Sequence, residues 1–159
     1  MKKILLIIFV VFTYLNYRYL ELGFLQNYIT DEYAFHGSFL NMFEGVMSLD
    51  IKKIFTFNFY SYGFSFFALN LFAIFPFIAM ENWEMTIYIP RLIVSLFAIS
   101  SIYLIFKIAK DYLDNISSIL ISLIAISMPG FWINSFMLRP NWMMTFFIIL
   151  TIYYLSKDA

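Results

Sequence analysis

The chain has 159 residues, 63% of them apolar and only 13% charged, with ten basic side chains, ten acidic ones and a formal net charge of zero. Soluble domains carry about half apolar and about a quarter charged residues, so this composition excludes an ordinary soluble domain and points to an integral membrane protein. Zero net charge leaves no basic face to neutralise phosphates, which excludes nucleic acid as a partner, and the lack of cysteine excludes disulfides and thiolate metal sites.

Met1-Lys2-Lys3 precedes ILLIIFVVF, a basic end followed by an apolar run. The next residues, TYLNYRYLELG, offer no small-x-small cleavage site, so the segment reads as an uncleaved first span over 1–20. Arg18 is expected to snorkel to the far interface. Thr30–Met47 predicts an amphipathic helix on the outer membrane surface. Thr30 suits an N-cap, Asp31 and Glu32 suit the first turn, and Phe35, Phe39, Met42, Phe43 and Val46 keep helical spacing. Glu32 and His36 stand four apart and are surface neighbours on such a helix.

Residues 54–80 are uncharged but interrupted by Asn58, Gly63, Asn70 and Pro76, with aromatics along their length. The pattern predicts a helix at or dipping into the interface, with a plain span as the competing reading. Pro90 predicts the start of a second span over 87–108, with Arg91 at its outer edge. A third span covers 115–138, with a kink or break at Pro129-Gly130. The turn FMLRPNW marks an interface and opens a fourth span over 140–156.

The lysines decide between four and five spans. If 54–80 does not cross, Lys2, Lys3, Lys107, Lys110 and Lys157 all fall on the cytoplasmic side, as positive charge near span ends favours. Residues 21–86 then form one outer loop, and the expected fold is all-α: a polytopic membrane protein of about four transmembrane helices with amphipathic juxtamembrane helices in that loop. Asp31, Glu32, His36, Arg91 and Arg139 then share the outer face; with five spans the arginines lie inside, away from the acids.

That set divides labour in a recognisable way. A carboxylate can take a proton from an acceptor hydroxyl or amine. Arginines can hold a phosphate and stabilise charge on it as it leaves. A carboxylate beside a histidine, here Glu32 and His36, can hold a divalent cation. Each residue also has a plainer account. Acids at a helix start compensate the dipole, arginines at span ends anchor at the interface, and a lone histidine is more often an exposed loop residue than a ligand.

The order of these features resembles the N-terminal part of membrane glycosyltransferases of the C-type fold, which include protein O-mannosyltransferases, bacterial aminoarabinose transferases and related polyprenyl-phosphate-sugar enzymes. After a short first span, Asp31-Glu32-Tyr33 opens the outer loop as the family's Asp-Glu motif does. YSYGFSFFALNLF at 60–72 is similar to the aromatic juxtamembrane segment that follows. PRLIVSLFAISSIYLIFKIAK matches the Arg-Leu start and basic end of the second span. SMPGFWINSFMLRPNWMMTFFIILTIYYL resembles the segment in which a polar turn precedes a Phe-rich span.

The resemblance implies sugar transfer from a polyprenyl-phosphate donor (undecaprenyl or dolichyl) to a glycan, lipid or protein acceptor on the outer face of the membrane, and the Phe, Ile, Lys and Asn richness, by association with AT-rich genomes, points to a bacterial cytoplasmic membrane. Asp31 is the implied general base, and Glu32 assists or binds a metal in members that use one. Arg91 and Arg139 are expected to hold the donor phosphate, and Tyr33, Tyr62 and Asn141 to line the substrates. The chain departs from the pattern where many members have an acid in the turn occupied here by Arg139-Pro140-Asn141, and it lacks a Pro-Pro or His-Pro-Pro motif before the juxtamembrane helix. The resemblance spans only about the first third of such an enzyme, so the expectation is a fragment with little activity of its own. A non-catalytic small membrane protein (a transporter subunit or assembly partner) and another lipid-linked polysaccharide enzyme are the competing readings.

Overall fold

The computed structural model describes residues 1–18, 30–56, 63–135 and 137–157, without the side chains of Thr30 and Asp31. The described residues form eight helices and no strand, in accord with the all-α expectation. They are α1 (Lys2–Arg18), α2 (Thr30–Ser48), α3 (Ile51–Ile54), α4 (Phe64–Ala79), α5 (Trp83–Tyr112), α6 (Asn115–Ser127), α7 (Pro129–Ser135) and α8 (Asn141–Leu155).

α5 is the axis of the fold, and its start corrects the sequence reading. The helix begins not at Pro90 but seven residues earlier, where the Asn82 side chain accepts from the Met85 N–H at 3.3 Å. That cap and Glu84 in the first turn satisfy the helix start. Pro90 therefore sits inside the helix and is buried. α5 is the one described helix that by itself is long and apolar enough to cross a membrane.

The expected third span is also not one rod. α6 and α7 meet at a 65° bend. Met128 is extended there, with ψ near 129°, as a residue before proline prefers. The break foreseen at Pro129-Gly130 is thus real. α4 is 16 residues long, entered from Gly63 at φ +77, and is shorter than the roughly 20 residues of a full span.

Neighbouring rings and hydrogen bonds fix the directions. Met1, Ile4, Leu5 and Phe12 pack in one cluster with Ala98, Ile102 and Ile105, while Tyr17 meets Tyr88 with ring centroids 6.0 Å apart. α1 therefore runs against α5. α6 and α7 run back along α5, with Ile126 and Phe131 in the same cluster and Ser135 reaching Ser95. α8 runs with α5: Phe97 meets Phe146 at 5.3 Å, and Lys157 pairs with Asp111 at 2.7 Å. The chain start, Lys107, Lys110 and Lys157 thus gather at one end of the bundle.

α2 and α4 form a second core at the other end. The stripe read from the sequence is buried there: Phe35, Phe39 and Met42 pack against Phe66, Phe67, Leu71, Ile74 and Ile78 of α4, Val94 of α5 and Leu138. The sequence reading expected the apolar face of α2 to lie on a membrane surface; that face is instead spent on protein.

Candidate functional site

The N-terminal half of α5 carries Thr86, Arg91 and Ser95, all buried. Each polar group there meets a partner from another element. Burial there follows from spacing on α2 as well. Glu32 precedes Phe35 by three residues and Phe39 by seven, so it lies on the apolar stripe and enters the core with it.

A buried carboxylate is tolerated only if paired and hydrogen-bonded, and Glu32 is both. Arg91 Nε donates to Glu32 Oε1 at 2.7 Å, and Arg91 Nη2 donates to Oε2 at 2.8 Å. The backbone N–H of Leu138 donates to Oε1 at 2.9 Å. The pair is sealed, with the Glu32 side chain 0% exposed and that of Arg91 3%. One carboxylate thereby joins α2, α5 and the 137–140 turn.

His36 lies one turn along. Thr86 Oγ1 donates to the Trp83 carbonyl at 2.7 Å, so it accepts from His36, whose Nε2 is 2.8 Å away. That geometry puts the imidazole proton on Nε2. Burial holds the His36 pKa down to about 4, against the opposing pull of the Glu32 charge. Deeper in the bundle, Asn16 Nδ2 donates to Ser95 Oγ at 3.2 Å. The Ser95 hydroxyl faces the Ser135 carbonyl at 2.7 Å and the Arg91 carbonyl at 3.0 Å.

The sequence-predicted residues divide accordingly. Glu32, His36 and Arg91 are brought together. Arg139 follows Leu138 directly and is half-buried, and Asn141 is exposed as the first residue of α8. Tyr33 is exposed on α2. Asp31 lies in the first turn of α2, but its side chain and the whole of Tyr62 fall outside the described residues. His36 is buried, not the exposed residue of the plainer reading. Arg91 does not sit at the outer edge of a helix, because α5 extends two turns beyond it. Thr86, Ser95, Asn16 and Ser135 were not singled out from the sequence. Ser95 could have been, since it follows Arg91 by four residues and shares its face of the helix, whereas Thr86 lies about 140° around the helix from Arg91 and gave no such signal.

Glu32 and His36 fit a divalent cation poorly. Both Glu32 oxygens are committed to Arg91, one of them also to Leu138, and His36 Nε2 is committed to Thr86. Among the described residues no group of three or more His, Asp or Glu side chains could hold a metal ion. No family model, curated protein or solved structure matches this chain.

Proposed function

We propose that this chain is the membrane-embedded N-terminal module of a C-type-fold glycosyltransferase, which transfers a sugar from a polyprenyl-phosphate donor to an acceptor at the outer face. The observation that carries this reading is the junction of Glu32, Arg91 and Leu138. It fixes the first turn of α2, and with it Asp31, at the bundle end opposite Lys107, Lys110 and Lys157. Asp31 is assigned as the base that takes the acceptor proton. Arg139 is assigned to the donor phosphate. Arg91 and Glu32 are positioning residues, since their polar atoms engage one another.

Two features support the membrane setting. The outward faces of α1, α6 and α8 expose Leu6, Ile7 and Val10, then Ile116, Leu120 and Ile124, then Phe147, Ile148, Ile152 and Leu155. A soluble monomer rarely exposes an apolar patch beyond about 300–600 Å². On α5, Tyr88 and Lys107 stand about 28 Å apart at 1.5 Å per residue, close to the roughly 30 Å of a hydrocarbon core. Lys107 also lies 5.8 Å from the Tyr103 ring, an aromatic-basic grouping typical of an interface.

A second reading is a non-catalytic membrane protein. It is favoured by the same ion pair, because Glu32 and Arg91 neutralise each other as a purely structural pair would.

Topology separates these from any arrangement with the acids inside. The chain has no native cysteine, so single cysteines at exposed Tyr33, Lys110 and Asn141 can be tested with an impermeant thiol reagent on intact cells. The expected result is labelling at 33 and 141 and none at 110. Labelling at 110 alone sinks the shared outer site. In the gene product that carries this segment, Asp31→Asn is then expected to abolish transfer of labelled sugar with normal membrane insertion. Retained transfer refutes the base assignment.

A further inference from the structure

The zero net charge conceals an uneven distribution, which corrects the expectation that no basic face exists. α1 runs against α5, with Tyr17 beside Tyr88 and Asn16 bonded to Ser95. That register carries Lys2 and Lys3 to the level of residues 102–109 of α5. Met1 and Ile4 pack there in one cluster with Ile102, Tyr103 and Ile105. Lys107 stands one turn beyond Tyr103, with its Nζ 5.8 Å from the ring centroid, and Lys110 follows, exposed. Four lysines from two helices thus gather at one end of the bundle.

The acids nearest in sequence are already engaged. Asp111 pairs with Lys157 at 2.7 Å. The Asp114 carboxylate caps α6, accepting from the Ile116 and Ser117 N–H groups at 2.9 and 3.3 Å. Among the described residues no carboxylate pairs with Lys2, Lys3, Lys107 or Lys110. Exposed Glu81 and Glu84 lie at the far end, around the start of α5. Like charges held together repel, so the cluster favours an anion, and lysine serves a phosphate as a point charge.

α1 shows which kind of phosphate. Lys3, Ile7 and Val10 lie within about 60° of one another around the helix. They are exposed, as is Leu6 beside them. The stripe has a basic head and then an apolar track of about 10 Å at 1.5 Å per residue, which fits within the roughly 15 Å of one leaflet's hydrocarbon. A free phosphate would use only the head. A phospholipid uses the head and the track together, and an anionic one brings no cation of its own to offset the lysines.

We infer that the lysine end of α1 and α5 is a binding site for an anionic phospholipid. Lys3 and Lys107 hold its headgroup phosphate, and Leu6, Ile7 and Val10 take an acyl chain. This rests on the membrane reading above and narrows it to one lipid class at one place.

The test places an environment-sensitive fluorophore on Tyr14→Cys, further along the same exposed stripe, and on Ile148→Cys of α8 as a control. Both are studied in phosphatidylcholine vesicles, after thermal melting shows the parent stability. Brominated phosphatidylglycerol is compared as a quencher with brominated phosphatidylcholine. The anionic lipid is expected to quench position 14 several-fold more effectively, while the two quench position 148 alike. Lys3→Gln and Lys107→Gln are each expected to cut the preference at 14 by up to about fivefold, and Lys52→Gln at the other end to leave it unchanged. Equal quenching at 14 by the two lipids, with 148 quenched by both, overturns the proposal and leaves the membrane reading intact. A preference that survives the double change at Lys3 and Lys107 also overturns it. Displacement of the lipid by an equimolar amount of glycerol phosphate assigns the lysines to a free phosphate and overturns the lipid site. Failure of either lipid to quench 148 removes the membrane reading as well.

Discussion

Glu32 and Arg91, 59 positions apart in the chain, meet as a two-pronged ion pair closed off from solvent. Breaking one partner of such a pair leaves the other charge buried and costs about 3–5 kcal/mol. Glu32→Gln and Arg91→Ala are each expected to lower the unfolding midpoint in detergent sharply. The double replacement Glu32→Gln with Arg91→Met removes both charges and is expected to lose less than the sum of the two single changes. Additive losses would show that the two residues do not act as a unit.

Arg91→Lys separates geometry from charge. Lysine keeps the positive charge but cannot match both carboxylate oxygens at once. The expected result is a loss smaller than that of Arg91→Ala, on the order of 1–3 kcal/mol for the hydrogen bond forfeited. Stability equal to the parent would mean that charge alone suffices.

His36 predicts an acid-sensitive window. Its folded pKa, about 4, lies below the ordinary value of 6.5, so the unfolded chain binds the proton more readily. The stabilisation is therefore full above about pH 6.5 and is lost as pH falls toward 4, by about 1.4 kcal/mol per unit within that range. His36→Gln is expected to flatten this part of the melting profile. An unchanged slope would assign the acid sensitivity elsewhere.

The left-handed residue after α4 predicts a gain. Glu81 has φ +55. Its N–H donates to the Ile78 carbonyl at 3.0 Å, while the Asn82 N–H donates to that of Phe77 at 2.9 Å. Both bonds use only backbone, so Glu81→Gly keeps them and removes a steric cost of about 1–2 kcal/mol, part of it returned as entropy in the unfolded chain. A small rise in melting temperature is expected. Gly45→Ala is its counterpart, a loss of about 1–3 kcal/mol from overpacking against the Ile54 backbone.

Local rules carried the sequence reading where an element depends on its own residues. Helical spacing gave α2 to within a residue, and the Pro129 break and α8 followed from proline chemistry and an uncharged run. The misses lie where a rival local signal or a distant residue decides. Pro90 looked like a helix start because its missing N–H suits one, but Asn82 offered a better cap upstream. Glu32 and His36 looked like solvent-facing companions of the first turn. Their spacing to Phe35 and Phe39 already put them on the buried side, but only the fold reveals the arginine and threonine that make burial tolerable. The peptide N–H of Leu138 left no sequence signal at all, because any residue but proline supplies one.

That peptide group sits 106 positions after the carboxylate it satisfies. During synthesis Glu32 emerges first, while Arg91 and then Leu138 have yet to be made. The phenylalanine stripe of α2 can close on α4 once residue 79 is made, but the Glu32 carboxylate stays without its partners until Arg91 and then Leu138 follow. The junction therefore joins an early segment to a late one, and any delay in making residues 91–138 prolongs the life of a carboxylate that has an apolar seat and no counter-charge.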